Sequence, residues 1–126
     1  CMLAFLDDSQ REEILGAGLV ALTSGTIVDP DVLRDELERI VERRYAASAG
    51  ERQADAGSVA APVFGVSGEV LGAISVCGPR YRVTDEFVAA IAPRVVAVAD
   101  HISHRLGAAP RRTPVLAGSA AERTAR

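Results

Sequence analysis

The sequence contains no lysine and no tryptophan, and only two of its 126 residues are cysteines. Cys1 and Cys77 lie far apart without C-x-x-C spacing, so they indicate neither a disulfide framework nor a zinc site. No apolar run approaches the roughly 18 residues of a membrane-spanning helix, and no charged segment precedes an apolar one as in a signal peptide. We therefore expect a cytoplasmic protein without a membrane partner, a setting that disfavours a disulfide between the two cysteines.

The charge distribution also excludes a class of function. All basic residues are arginines, and the net charge is −3. An acidic chain without a basic stripe lacks the electrostatic footprint of a nucleic-acid-binding protein. We expect one domain with a hydrophobic core, which by itself does not bind DNA.

Helix signals occur in three places. The segment "MLAFLDDSQREEILGAG" predicts a helix in two pieces, which ends at the glycines. Asp29 and Pro30 have the residue types of a helix cap and first helical position, and the core stripe that follows consists of Leu33, Leu37, Ile40 and Val41. A long helix is predicted from the Thr84 cap to Gly107, bent or split at Pro93; its apolar stripe consists of Phe87, Ile91, Val95, Val98, Ile102 and Leu106.

The two ends of the chain give different signals. Residues 108–126 show no periodicity and predict a disordered tail, so we place the domain at residues 1–107. The chain starts within an apolar helical turn that has no cap, from which we expect that an N-terminal part of the domain is missing.

Two extended segments predict a β-hairpin. "SVAAPVF" and "EVLGAISVC" flank the turn "GVSG", and "RYAAS" upstream is a further short strand. A four-residue loop would pair Phe64 with Glu69 and place Ser58 opposite Ser75. Pro62 cannot donate to a ladder, so its strand is expected to be an edge or to bulge there.

Strand alternation sorts the hairpin into two faces. One face is aliphatic and is expected to pack on helices. The other, which we call the small-residue face, consists of Ser58, Ala60, Ala73, Ser75 and Cys77. Short side chains that leave space between a few hydrogen-bond donors are typical of a small-molecule pocket. Close helix–sheet packing also uses small residues, in which case Ser75 bonds locally and Cys77 is a small buried hydrophobe.

Several of these segments together resemble a known family. "RYAASAGE", "SVAAPVFGVSGEVLGAISVCGPRYRVTDE", "LAFLDDSQREEIL" and "TIVDPDVLRDELERI" resemble the effector-binding domain of the IclR family of bacterial transcription regulators, from Cys1 to about Gly107. The resemblance implies an α+β fold that is GAF-like, with an antiparallel sheet flanked by helices and lacking its N-terminal part here.

The family resemblance also implies a function and a set of ligand-binding residues. Such domains sense small effectors, often carboxylates, and follow a winged helix-turn-helix that binds promoter DNA in a homodimer or tetramer. Promoter DNA would then be a partner only through an N-terminal domain that this chain lacks. Side chains at the family's pocket positions correspond to Ser48, Ser58, Ser75 and Cys77, together with backbone N–H groups of a turn that would precede Cys1. No catalytic residue, metal or cofactor is implied.

The sequence departs from the family pattern at several positions. Cys77 stands where serine is usual, and a thiol is a weaker donor. Ser48 and Ala49 replace a segment that usually carries an acidic residue, and Asp55 stands where glycine is general. Arg44 occupies a helix-ending position normally held by glycine, where a left-handed conformation costs a non-glycine residue about 1 kcal/mol. These departures leave the identity of the effector open.

Three other functions compete with ligand sensing. Cys77 as a nucleophile needs a base, and the only histidines are His101 and His104 on the late helix. These two histidines with Asp100 do not complete a metal site. A pure interaction module, in which the Ala/Val-rich late helix pairs with another subunit, is distinguished from a sensor by whether the small-residue face encloses a cavity.

Overall fold

A computed structural model describes residues 1–111. A short 3-10 helix, Met2–Phe5, leads into α1 (Asp8–Gly16) and α2 (Pro30–Arg43). Strands β1 (Ala46–Ala49), β2 (Ala56–Phe64) and β3 (Val70–Pro79) follow, and after a second 3-10 helix, Arg80–Arg82, the described chain contains α3 (Asp85–Arg105). None of the helices within residues 1–111 combines the length and apolar character that crossing a membrane requires.

The strands form a three-stranded antiparallel sheet in the order β1-β2-β3, which with the helices confirms the α+β class. On one face Ala61 and Val63 pack against Val95 and Ala99 of α3. On the opposite face Ala46 packs against a cluster from α2 and the first 3-10 helix. The sheet is therefore flanked by helices on both faces, as expected.

Helix α2 forms where local signals predict it. The Asp29 carboxylate accepts hydrogen bonds from the N–H groups of Asp31 and Val32, at 2.8 and 3.2 Å. Leu37 and Ile40 are buried, whereas Val41 is 45% exposed, so the predicted stripe is too wide by one residue.

Helix α3 differs from its prediction in two respects. It is one continuous helix through Pro93, so the predicted split is absent. Val98 and Leu106, expected in the core, are about half exposed. The side chains that α3 buries against the sheet are mostly small, which allows the helix to approach the sheet closely. They are Ala92, Val95, Ala99 and Ser103.

The hairpin register differs from the predicted one by two residues. Ser58 lies opposite Cys77, and Ser75 lies opposite Ala60. One residue of the shift comes from the loop, because Phe64 pairs with Val70 and not with Glu69, and the second comes from an irregularity between Val63 and Phe64. A shift of two preserves the side-chain parity, so the small-residue face keeps its membership.

Pro62 lies in the central strand, so the edge alternative was wrong, and the irregularity occurs at the next residue pair. The last pair between β2 and β1 is Ala60 with Ala46, so Pro62 lies beyond the end of β1. Two residues on, the N–H of Phe64 bonds to the Ser103 hydroxyl instead of a strand. The missing proline N–H is tolerated because the ladder with β1 has already ended.

The first residues of the predicted tail contact the domain. Ala108 is buried, and its N–H bonds to the Ser103 carbonyl at 3.0 Å. The Arg111 guanidinium lies 3.6 Å from the centre of the Phe64 ring and donates to the Gly68 carbonyl at 3.0 Å. Residues 112–126, the rest of the predicted tail, lie outside the described residues.

Candidate functional site

The sheet brings the four predicted site residues together. Ser48 of β1 pairs with Ser58 of β2, which pairs with Cys77 of β3, so these three form one row across the sheet. Ser75 lies on the same face, opposite Ala60 in the adjacent row. At about 4.8 Å between strands, the row from Ser48 to Cys77 spans roughly 10 Å.

The two ends of this row have different surroundings. Ser75 and Cys77 lie on the edge strand, where both are exposed, with 3.5 Å between the hydroxyl oxygen and the sulfur. Ser48 and Ser58 are half-buried. Between Val70 and Pro79 the edge strand has no charged residue, so the Cys77 end of the row is polar but neutral.

The Ser48 end of the row lies beside a cavity and a carboxylate. A cavity of about 270 Å³ lies between β1 and the start of α3, on the aliphatic side of the sheet, where Ala47, Val83 and Val88 line it; Ser48 and Glu51 also contribute to its lining. Burial raises the pKa of Glu51 above its ordinary value, and the nearby Glu36 carboxylate raises it further. The adjacent Ser48 hydroxyl opposes this shift.

The loop before α2 fixes the backbone at Glu51. The Thr23 hydroxyl donates to the Gly50 carbonyl at 2.5 Å, and the Thr26 hydroxyl donates to the Glu51 carbonyl at 2.5 Å. The sequence interpretation left Glu51 and both threonines unassigned, because these contacts join residues at least 25 positions apart. The one local signal was a carboxylate three positions after Ser48.

Arg44 occupies the left-handed conformation that its position predicts, with φ 65° and ψ 18°. Its side chain is buried, with the residue only 5% exposed, and its guanidinium forms two hydrogen bonds with the Asp100 carboxylate. The pair connects the end of α2 to α3, on the opposite side of the sheet, just before β1 begins.

The alternative sites receive little support from the geometry. His101 and His104 lie on α3, which packs on the aliphatic face, opposite the face that carries Cys77. Asp100 is paired with Arg44. Within residues 1–111 no group of three or more His, Cys, Asp or Glu side chains could hold a metal ion, and both cysteines are free thiols.

Comparison with known proteins identifies the family. The profile described as "Bacterial transcriptional regulator IclR C-terminal" matches residues 1–104. RhmR, an HTH-type transcriptional regulator of Escherichia coli K12, is 38% identical over 109 residues, which cover 85% of this chain and 42% of RhmR.

Solved structures agree with the sequence relatives. The IclR regulator of Thermotoga maritima is 31% identical with a TM-score of 0.77, over 84% of this chain and 43% of that one. The IclR regulator of Alicyclobacillus acidocaldarius is 29% identical with a TM-score of 0.78, over 82% and 42%. The inducer-binding domain of PobR from Acinetobacter, 22% identical over 83% of this chain and 59% of that one, shares the fold with a TM-score of 0.70.

The chain thus spans less than half the length of RhmR and of the two IclR regulators. The matched part lies in the C-terminal region that the family profile describes. The chain belongs to the IclR family of bacterial transcriptional regulators, and it corresponds to their C-terminal domain.

Proposed function

We propose that this chain is the sensor domain of an IclR-type regulator, and that it binds a small organic acid without chemical turnover. The observation that carries the proposal is the row of Ser48, Ser58 and Cys77, with Ser75 beside it, on one face of the sheet. The resemblance to the family selected these four residues. The strand pairing brings them onto one face, although the predicted pairing of β2 with β3 was wrong by two residues. PobR supports the ligand class, because its inducer-binding domain was crystallised as a double mutant with 3-hydroxybenzoic acid.

Neutral donors suit a carboxylate on this face. A hydroxyl can donate one hydrogen bond to a carboxylate oxygen and leaves room for the ligand. A hydrogen bond to a charged acceptor contributes about 1.5–3 kcal/mol. We assign Ser58 and Ser75 as the principal donors, and Cys77 and Ser48 as residues that shape the site.

Binding would be transmitted through the elements that cover this face. The first 3-10 helix and α2 pack on the same side of the sheet as Ala46, two residues before Ser48. A ligand that favours one position of these elements shifts the population of subunit arrangements. In the complete regulator, a cytoplasmic homodimer or tetramer, this shift would alter promoter binding by an N-terminal DNA-binding domain.

The test is a thermal-shift screen of the longest form of the protein that its gene encodes, against small carboxylates. A ligand at 100 times its Kd stabilises the folded protein by about 2.7 kcal/mol. We expect at least one acid to raise Tm, and Ser75→Ala to reduce the effect, while Ser67→Ala in the hairpin loop leaves it unchanged. If no acid raises Tm, or if Ser75→Ala leaves the shift intact, the pocket assignment is wrong.

A subunit-interaction function has separate support from α3. Val98 and Leu106 lie eight residues apart, on one side of the helix, and are about half exposed. We propose that this side of α3 contacts a second copy of the chain. Analytical ultracentrifugation of Val98→Glu should show weaker self-association than the wild type, and an unchanged distribution would exclude this contact.

A further inference from the structure

The outer edge of β1 carries peptide groups that the sheet leaves unpaired. In the described chain β1 pairs only with β2. The N–H of Gly50, just past the end of β1, donates to the Ala56 carbonyl at 2.8 Å, which continues the register of the two strands. Successive residues of an antiparallel strand bond alternately towards and away from a neighbouring strand. Ser48 therefore bonds towards β2, whereas Ala47 and Ala49 direct their N–H and C=O groups outward.

The cavity of about 270 Å³ lies beside this outer edge. Ala47 and Ala49 contribute to its lining, and Val83 and Val88 form an aliphatic wall. Val83 lies at the Ala49 end, because a methyl group on Gly57, which pairs with Ala49, would be 2.8 Å from it. In a strand added at this edge, the residues opposite the two alanines would point their side chains to the same face as the alanines do, and so into the cavity.

The charge of this cavity limits what can dock there. Asp85 and Glu51 contribute to its lining, and none of the described residues that line it is basic. Among residues 1–111 neither acidic side chain forms an ion pair, and Asp85 is exposed. The β1 edge of a second copy would bring its own acidic residues against these, and like charges across a strand pair are destabilising. A strand that carries a basic side chain suits this edge instead.

We propose that the outer edge of β1 and the acidic cavity beside it dock an extended segment of a partner protein, in which an aliphatic and a basic side chain lie two residues apart. In strand addition of this kind, main-chain hydrogen bonds give affinity, and pockets for alternate side chains give specificity. The aliphatic side chain contacts Val83 and Val88, and the arginine or lysine side chain pairs with Asp85. Because only two residues of β1 face outward, we expect a Kd of about 1 mM for a short free peptide.

Matched peptides and matched variants test the inference. The probes are acetyl-Thr-Val-Thr-Arg-Thr-amide, the peptide with valine and arginine exchanged, and both peptides with glutamate in place of arginine. Their binding to the longest form that the gene encodes is measured by saturation-transfer NMR, which detects weak ligands.

Three variants of the protein separate the charge from the backbone groups. Asp85→Asn removes the carboxylate from the cavity, and Glu86→Gln is its control in the same turn of α3, outside the lining. Ala49→Pro removes an outward N–H without removing a bond to β2, so the ladder of the sheet is kept.

We expect an arginine peptide in one of the two orders to bind, and its glutamate counterpart to bind about tenfold more weakly. Asp85→Asn should weaken the arginine peptide by about fivefold, whereas Glu86→Gln should change its Kd by less than about twofold. Ala49→Pro should weaken the arginine peptide by at least about fivefold while the Tm of the protein stays close to that of the wild type.

Several outcomes would overturn the inference. It is wrong if neither arginine peptide binds at about 5 mM, if the glutamate peptides bind as well, or if Asp85→Asn and Glu86→Gln have equal effects. Two other occupants of the edge are tested in parallel. If deletion of residues 112–126 strengthens peptide binding, the chain's own segment occupies the edge, and if Ala49→Pro weakens self-association in ultracentrifugation, a second copy does; either result excludes the partner segment.

Discussion

Removal of the Asp100 carboxylate is predicted to destabilise the domain more than removal of its partner, Arg44. Arg44 is only 5% exposed, and its guanidinium is held by two hydrogen bonds to that carboxylate. In Asp100→Ala the charge stays buried without a partner, a change that costs roughly 3–5 kcal/mol in a dry interior. Because the Asp100 side chain is 38% exposed, water reaches the pair, and we expect about 2 kcal/mol.

The reverse change, Arg44→Gly, should be milder. It leaves Asp100 partly exposed to water, which hydrates the free carboxylate. It also relieves the left-handed conformation at φ 65°, which regains about 1 kcal/mol. Lost packing of the long arginine stem opposes this gain, and we expect a net loss of about 1 kcal/mol, half that of Asp100→Ala.

A double-mutant cycle measured by urea unfolding tests the reasoning. In the Arg44→Gly background no buried charge remains, so adding Asp100→Ala should cost under about 0.5 kcal/mol. In the wild type the same substitution should lower Tm by roughly 10 °C. If Asp100→Ala has the same effect in both backgrounds, the two side chains are not coupled, and the interpretation of Arg44 as a buried half of an ion pair is refuted.

Three further changes test the packing around the sheet and the site. Ser103→Ala removes the acceptor of the buried Phe64 N–H (2.9 Å) and should cost about 1–3 kcal/mol by urea unfolding; a loss below 0.5 kcal/mol would show that this N–H finds another partner. Gly57→Ala places a methyl group 2.8 Å from a methyl group of Val83, so we expect a loss of about 1–3 kcal/mol in the free energy of unfolding. The cross-strand partner Gly78 faces open space, so Gly78→Ala is the control and should be near neutral. Equal effects of the two substitutions would contradict the packing described. Because the pKa of Glu51 is raised, the folded chain binds the carboxyl proton more tightly than the unfolded chain does. The charged carboxylate therefore destabilises the fold fully above the raised pKa, and this destabilisation disappears as the pH falls through that pKa towards 4.5. Glu51→Gln should therefore raise Tm at pH 7, and this gain should shrink at acid pH; a lower Tm at pH 7 would contradict the burial effect.

Local signals predicted the elements of this fold better than the contacts between them. The start of α2 follows from the Asp29 side chain and Pro30, which act within one turn. The register of the hairpin depends on the loop instead, where Gly65 bonds back to the Glu69 carbonyl and the ladder slips beside Phe64. Loop geometry of this kind produces no periodic pattern in the sequence, whereas the alternation of side chains between the two faces does. The sequence therefore predicted which residues share a face, but not which residues pair across the strands.

The core of α3 shows a second limit of pattern reading. Hydrophobicity alone favoured Val98 over Ala99, because valine is the larger apolar side chain. The structure buries Ala99 at 1% exposure and leaves Val98 at 47%. A small residue lets the helix approach the sheet, and the distance between helix and sheet is a tertiary property that the helix sequence does not encode.

The candidate site was predictable in its residue types and not in its surroundings. Family positions gave Ser48, Ser58, Ser75 and Cys77, and the strands place them on one face. The neighbourhood of Ser48 depends on Glu51, whose position is fixed by threonine hydroxyls from a distant loop. These contacts join residues at least 25 positions apart in the sequence. They arise from the folded topology, so no short segment of the sequence predicts them.

Two energetically unfavourable features flank the four-residue strand β1, with Ser48 between them. Arg44 precedes the strand with a positive φ, and the half-buried carboxyl of Glu51 follows it with a raised pKa. A strained backbone position persists only where the surrounding structure fixes it, and perturbed pKa values are common at functional sites. Here an ion pair to α3 fixes Arg44, and two threonine hydroxyls fix the backbone at Glu51. The strand is therefore held at both ends by contacts that do not involve the sheet itself. This arrangement gives Ser48 a defined position at the end of the small-residue face.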